Sequence, residues 1–282
     1  MKLIDPSFEI WEQEPTLNEA FKQIEFAART CYKSENNIKG DSKLGFIHKL
    51  VQSKHYAMLE HGTIYLKIPW NKSEKYPFAW VLNSPYSLYV ENGKDHTSNV
   101  TTNYRVIVEN NADDLLNYIA IPNDQFFKRV TVRFVCSRAV AQEFTRHRAF
   151  SFAMESQRYC NYSKDKFDNE ITFITPNWVN THCPNKHQKG PSAADLEWST
   201  AMQNAEASYF LLLKEGWKPE EAREVLPNST KTELIMTGFT EDWEHFFDLR
   251  ALGTTGKPHP EAKRLVEPLM QEFINRKLIT DS

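Results

Sequence analysis

Glycine is scarce in this chain, nine in 282 residues, and the nine are scattered with no Gly-x-Gly-x-x-Gly and no P-loop pattern among them. That argues against a Rossmann or Walker-type site, in which backbone N–H groups cradle phosphates. An anionic ligand would have to be held by side chains. Cysteine is equally sparse: Cys31, Cys136, Cys160 and Cys183 form no regular framework, so reduced thiols are the default. Long apolar runs are missing too. Runs such as Tyr209 to Leu213 are far too short to span a bilayer, and the N-terminus has no basic region followed by an apolar one. A cytoplasmic location is expected. Nor is there an excess of either charge. Against 34 basic residues stand 37 acidic ones, a net charge of -3, so nothing global draws the chain to nucleic acid or to an anionic membrane. Any anion site must be local. Repeats and low-complexity tracts are absent. What is present, 40% hydrophobic and 25% charged residues, is the composition of a soluble globular protein.

Periodicity places the elements. Pro15-Thr16-Leu17-Asn18-Glu19 reads as a capping box, after which Leu17, Phe21, Ile24, Ala28 and Cys31 recur at helical spacing to about Tyr32. Leu44, Ile47 and Val51 mark a second helix, entered through Asp41 or Ser42. Ile64, Leu66 and Ile68 alternate, predicting a strand over Thr63 to Ile68 with one buried face. Residues 69–98, with Pro69, Pro77, Pro85 and Asn92-Gly93, read as a loop-rich insertion with short helical pieces, long enough for a lid or an interface element. Val100 to Val108 reads as a strand and Ala112 to Ile119 as a short helix. A strand through Val130, Val132, Phe134 and Cys136 feeds a helix from Arg138 to His147. Residues 160–190 are irregular. Leu196, Met202, Ala205, Tyr209 and Leu212 define a long helix stopped at Gly216. Pro219 opens a short helix to Leu226, Lys231 to Met236 can be a strand, and Thr240 caps a helix with Trp243, Phe246, Phe247 and Leu249 inward up to Gly253. A last helix starts at Pro260. Strands and helices mix without regular alternation, which favours α+β, a central mostly antiparallel sheet flanked by helices, in a single domain over 1–282.

Chemistry concentrates between Glu143 and Tyr162. Arg146, His147 and Arg148 stand in a row, followed by Ser156 and Arg158, among aromatics. Guanidinium is a planar fork that matches phosphate oxygens two at a time, so this density points to an anion, against the alternative of a solvated, salt-bridged helix end. Arg223 and Arg250, each at the end of a helix, can join them or act only as partners of a helix dipole. Cys160, His182, Cys183 and His187 have zinc-binding atom types but no tight Cys-x-x-Cys knuckle, and no metal is expected. Cys160 reads as a buried, inert thiol rather than a nucleophile. His61, after Glu60, reads as a structural histidine sooner than a catalytic base.

Arg146-His147-Arg148, then seven residues, then Ser156 and Arg158-Tyr159, resembles the signature of the flavin-dependent thymidylate synthases. Ala28-Arg29-Thr30-Cys31-Tyr32, Glu60-His61-Gly62-Thr63, Ala222-Arg223 ahead of Leu226-Pro227, and Trp243 to Arg250 resemble further segments of that family, in order; residues 69–128 match least well. The resemblance implies the reductive methylation of dUMP to dTMP with 5,10-methylenetetrahydrofolate and NADPH, through FAD, in a homotetramer that shares flavin sites between subunits. It implies flavin contacts from Thr63, Arg146, His147, Arg148 and His245. Substrate contacts would come from Glu143, Arg146, Glu155, Ser156, Gln157, Arg158, Arg223 and Arg250, with Arg250 against the uracil ring as the catalytic group. A guanidinium there stays charged and can stabilise negative charge developing on the pyrimidine. No enzyme thiol is required. Ala153 and Met154 depart from the usual signature, and Met154 can make no strong hydrogen bond. The alternatives are a relative acting on another pyrimidine nucleotide, or a non-catalytic nucleotide- or RNA-binding module.

Overall fold

The computed structural model describes residues 1–70, 79–180 and 190–280. It begins with two short strands that no strong pattern announces, β1 (Lys2–Ile4) and β2 (Ser7–Trp11). Helix α1 (Leu17–Tyr32) starts as expected, the Thr16 hydroxyl accepting from the Glu19 N–H at 3.2 Å. Helix α2 (Ser42–Gln52) follows. Strand β3 (Thr63–Pro69) is buried on both faces through Leu66, not on one, because Ile64 and Leu66 pack with Ala20 of α1 on one side and Tyr65 meets Phe126 on the other. Residues 71–78 of the expected loop-rich insertion lie outside the described residues. The rest is more ordered than expected: α3 (Ala79–Leu82), β4 (Leu88–Asn92) and β5 (Thr97–Asn103), with the turn at Asn92-Gly93 joining a β4–β5 hairpin. The strand expected to run to Val108 stops at Asn103, whose side chain accepts from the Val106 N–H and starts α4 (Tyr104–Glu109).

The second half follows the sequence pattern more closely. It contains β6 (Arg129–Ser137), α5 (Arg138–Phe144), β7 (Ser151–Met154), β8 (Thr172–Ile174), α6 (Ala193–Lys214), α7 (Pro219–Ala222), β9 (Lys231–Phe239), α8 (Thr240–Phe247) and α9 (Pro260–Asn275). Two strands were hidden. β8 lies in the tract read as irregular, and β7 lies inside the arginine-rich stretch itself.

The strands form an antiparallel sheet in the order β2-β6-β9-β7, an antiparallel sheet β3-β5-β4, and a parallel pair β1-β8. The α+β expectation holds, with three sheets in place of one. Alternation on β6 sends Val130, Val132, Phe134 and Cys136 into the main core, where Leu234 and Met236 of β9 meet Phe144, Trp243, Phe246, Leu265 and Phe273 from α5, α8 and α9. The indole of Trp243 donates to the Val130 carbonyl at 3.2 Å, pinning α8 to the sheet. On the opposite face Ile235 and Ala153 pack against Ala27 of α1. Among the described residues no helix is long and apolar enough to cross a membrane.

Candidate active site

The site is built where β6 ends. The Ser137 hydroxyl accepts from the Val140 N–H and starts α5, which runs for seven residues and then turns sharply. In that turn the His147 N–H donates to the Phe144 carbonyl and the Phe150 N–H to the His147 carbonyl, so Arg146, His147 and Arg148 are carried on a tight loop. Phe150 closes the loop against the sheet. Its ring lies so near Gly238 of β9 that a Cβ there would come within 2.6 Å, and only glycine permits the approach. Opposite, α8 brings His245 and Phe246, then widens into a π turn over Asp248–Leu252 that holds Arg250. Such π turns are frequent at functional sites. Gly253, at φ 73°, ends it in the left-handed conformation, where Cβ would also strike Pro258 at 2.7 Å.

These pieces enclose a cavity of about 900 Å³. Glu143, Arg146, His147, Arg148, His245 and Arg250 all line it, so six sequence-predicted residues meet in one place. Arg250 is fixed on three sides. Its Nη1 donates to Glu143 Oε2 at 2.6 Å, its Nη2 to the Glu143 carbonyl at 3.0 Å and its Nε to His147 Nε2 at 3.0 Å. Three of the roughly five N–H donors of a guanidinium are thereby used and two are left for a ligand. Burial pushes the His147 imidazole down to about 4, with Arg250, His245 and Arg146 adding to the effect. It is therefore neutral at pH 7, its Nε2 a lone-pair acceptor and its proton on Nδ1. The ring rests on Phe246 at 4.9 Å. A neutral histidine among fixed guanidinium groups makes a site that favours negative charge.

Other candidates are elsewhere in this chain. Ser156, Gln157 and Arg158 follow β7, at the end of the strand away from Arg148, so a strand divides the halves of the stretch that a single loop was expected to join. Arg158 is exposed, pairs with Glu220 of α7 at 3.4 Å and lies over Tyr159, which brings it to the neighbourhood of Arg223 just past α7. Among the described residues Arg223 forms an ion pair with Glu224, at 3.6 Å. Glu155 is buried and occupied, taking the Lys231 ammonium at 2.8 Å and the Tyr162 hydroxyl at 3.2 Å. Gln157 is buried, and its Nε2 has no partner among the described residues. Thr63 is buried on β3, bound through its backbone to Gln13, and does not line the cavity of Arg250. Ala153 and Met154 face opposite sides of β7 and pack there, Ala153 against α1 and Met154 against the main core, which accounts for an apolar residue at each position.

Cys160 is buried, and burial pushes its thiol up to about 12, as an inert group requires. His61 is fully buried with Nδ1 on the Thr237 hydroxyl at 2.8 Å, the structural role expected of it. His182, Cys183 and His187 lie outside the described residues.

Sequence reasoning missed Asp242, Lys257 and His259, which line the cavity beside Arg250. The signal for the last two was available. Gly253, Gly256 and Pro258 mark a loop directly after the Arg250 turn, and a loop there must cover that arginine.

The family model described as thymidylate synthase complementing protein matches residues 126–276, more than half of the chain and every element around the cavity. The chain belongs to that family. Relatives in the thymidylate synthase complementing protein family include the flavin-dependent thymidylate synthase of Pyrococcus horikoshii, 28% identical over 50% of this chain and 53% of that protein. The chain thus spans about half the length of that relative. The flavin-dependent thymidylate synthase of Mycobacterium tuberculosis is 22% identical over 81% of this chain and 66% of its own. Among solved structures, the UMP/dUMP methylase PolB of Streptomyces cacaoi, bound with 5-Br dUMP, covers 98% of this chain and 93% of that one, with a TM-score of 0.46 and 18% identity.

Proposed function

We propose that this chain is the subunit of a flavin-dependent thymidylate synthase, which makes dTMP from dUMP with 5,10-methylenetetrahydrofolate as carbon donor and NADPH as reductant, through FAD. The observation that carries the reading is Arg250, held by Glu143 and His147 in a cavity that Arg146 and Arg148 also line. The donor set suits a phosphorylated cofactor: two further guanidinium groups, Lys257 and a neutral imidazole surround space for a large anionic ligand. Arg146, His147, Arg148 and His245 would hold FAD, which once reduced by NADPH would provide the hydride needed to bring a transferred methylene to a methyl group. The protein orients and stabilises. Arg250 keeps two N–H groups free to hold negative charge that develops on the pyrimidine, and the Glu143 carboxylate keeps its fork from swinging away. His147, neutral, accepts from Arg250 and so adds no competing charge. Arg158 and Arg223, near one another but outside this cavity, fit a nucleotide phosphate presented to a neighbouring subunit, which a homotetramer with shared sites provides.

Purified protein should be yellow, lose its colour with NADPH under anaerobic conditions, and convert labelled dUMP to dTMP when the folate is added. Arg250→Ala should lower turnover by about a hundredfold or more with flavin still bound. A colourless protein that takes up no added FAD would overturn the reading, and unchanged dUMP with all substrates present would reject this substrate.

A further inference from the structure

We propose that Arg129 is a phosphate ligand of this enzyme, acting with Arg148 in a second cavity that opens beside the first. The second cavity holds about 340 Å³ and shares Arg148, Ala149, Phe150 and Asp242 with the larger one, so one ligand can occupy both. Arg129 begins β6, just inside the stretch that the family model matches, at the point where the chain returns from the β3-β5-β4 sheet.

Its environment is unusual for a cation. Nη1 donates to the Glu60 carbonyl at 3.0 Å and lies 3.5 Å from the Thr63 hydroxyl. Nε is buried without a partner, and Nη2 makes no hydrogen bond among the described residues. The carboxylates in the cavity wall feel this charge but spend their hydrogen bonds on other groups. Glu60 takes Arg105 and the Ser151 hydroxyl, Asp242 takes the Phe239 N–H, and Glu241 takes the Thr240 hydroxyl. The Phe239 ring, 5.5 Å away, and the charges of Glu60 and Asp242 offset the cation, but none of them hydrogen-bonds its Nε–Nη2 edge among the described residues. Burial pushes this guanidinium down to about 10, so it is still charged at neutral pH. A buried guanidinium N–H with no hydrogen-bond partner is unfavourable, and native proteins keep one where something else completes it. The unpaired edge, Nε with Nη2, is the edge with which a guanidinium grips two oxygens of one phosphate. Tyr86 and Leu88, from the 69–98 stretch, form the far wall, which gives that stretch a part in closing the site.

The identity of the ligand, a phosphate of FAD, rests on the proposed function; the anion site itself does not. The test compares wild type with Arg129→Met, which keeps the length of the side chain and removes the charge, and with Arg129→Lys, which keeps the charge and loses the fork. Binding is measured for FAD, for riboflavin (which lacks phosphate), for dUMP and for inorganic pyrophosphate, beside the melting temperature of ligand-free protein. Arg129→Met should bind FAD about tenfold to a hundredfold more weakly and lose pyrophosphate competition, with riboflavin affinity and ligand-free melting temperature undiminished. Arg129→Lys should fall between. If dUMP affinity falls in place of FAD affinity, Arg129 is still a phosphate ligand and the phosphate is the substrate's. Unchanged affinity for FAD, dUMP and pyrophosphate in Arg129→Met overturns the proposal. So does an equal loss of FAD and riboflavin binding together with a lower melting temperature, which marks a purely structural arginine. Should wild type bind no flavin, the proposed function fails, and pyrophosphate binding alone decides Arg129.

Discussion

Arg250 shows what one residue gains from its neighbours. Glu143 and His147 hold the guanidinium before any ligand arrives, so no side-chain entropy need be lost to orient it during the reaction. The same contacts make the site sensitive to acid. His147 is held down to about 4 and His61 to about 3, in both cases first by burial, whereas an unfolded histidine titrates at 6.5. Between those values and 6.5 the unfolded chain binds more protons than the folded one, so stability is full above 6.5 and falls as pH drops towards 4. Glu233 adds to the loss lower down. Burial alone would raise its carboxyl, but Lys231 and Lys33 hold it to about 2 from 4.5, so its contribution is present above 4.5 and disappears as pH falls through 2. We predict that urea midpoints stay level with respect to these groups from pH 7 to 8 and decline below 6.5, and that His147→Asn shallows the decline between 6.5 and 4. An equally steep decline in the variant would show that His147 is not held neutral. Little of this was legible in the sequence, since the depressed histidines are set first by burial and then by arginines distant along the chain, Arg250 for His147 and Arg129 for His61.

At the scale of elements, the arginine loop is positioned by packing. Phe150 rests on Gly238 and on Trp243 at 4.7 Å, so a methyl group at position 238 must push the ring and the whole turn outward. Gly238→Ala is expected to cost about 1–3 kcal/mol of stability by overpacking, read from urea denaturation, and to weaken flavin binding while leaving the Arg158 end of the stretch unaffected. An unaltered stability and flavin affinity would mean that the ring yields at no cost. Long periodic helices such as α1 and α9, and the alternating strand β6, could be read from the sequence because one buried face imposes its spacing. β7 could not. Four residues, Ser151 to Met154, buried on one face and half-buried on the other, carry too short a pattern, and their strand character comes from pairing with β9. β4 was hidden for a related reason: it is an edge strand, mostly exposed, paired only with β5. The grouping of Glu143, Arg146, His147 and Arg148 was visible as a motif, and His245 and Arg250 by resemblance. The π turn that aims Arg250 was not.

For the whole molecule, the two ends of the arginine-rich stretch serve different places. Helix α6 is long yet buries few side chains, with Leu196 56% and Leu211 56% exposed, a surface that a second subunit would cover. If Arg250 and Arg223 serve one site from different chains, inactive subunits will rescue one another. In that case Arg250→Ala and Arg223→Ala proteins, each inactive, should regain about a quarter of wild-type turnover after unfolding and refolding together at equal ratio, because random mixing restores some intact sites. Mixtures as inactive as their parents would place both arginines in one chain's site. The strand between the two ends carries a further consequence, for how such a chain can change over time. Side chains in β7 alternate sides, so adding or deleting one residue within it turns Ala153 and Met154 to the opposite faces of the sheet, while a change of two restores them. The strand between the two arginine groups is therefore governed by parity: descendants of this sequence can lengthen or shorten it by even steps, and odd steps are lost.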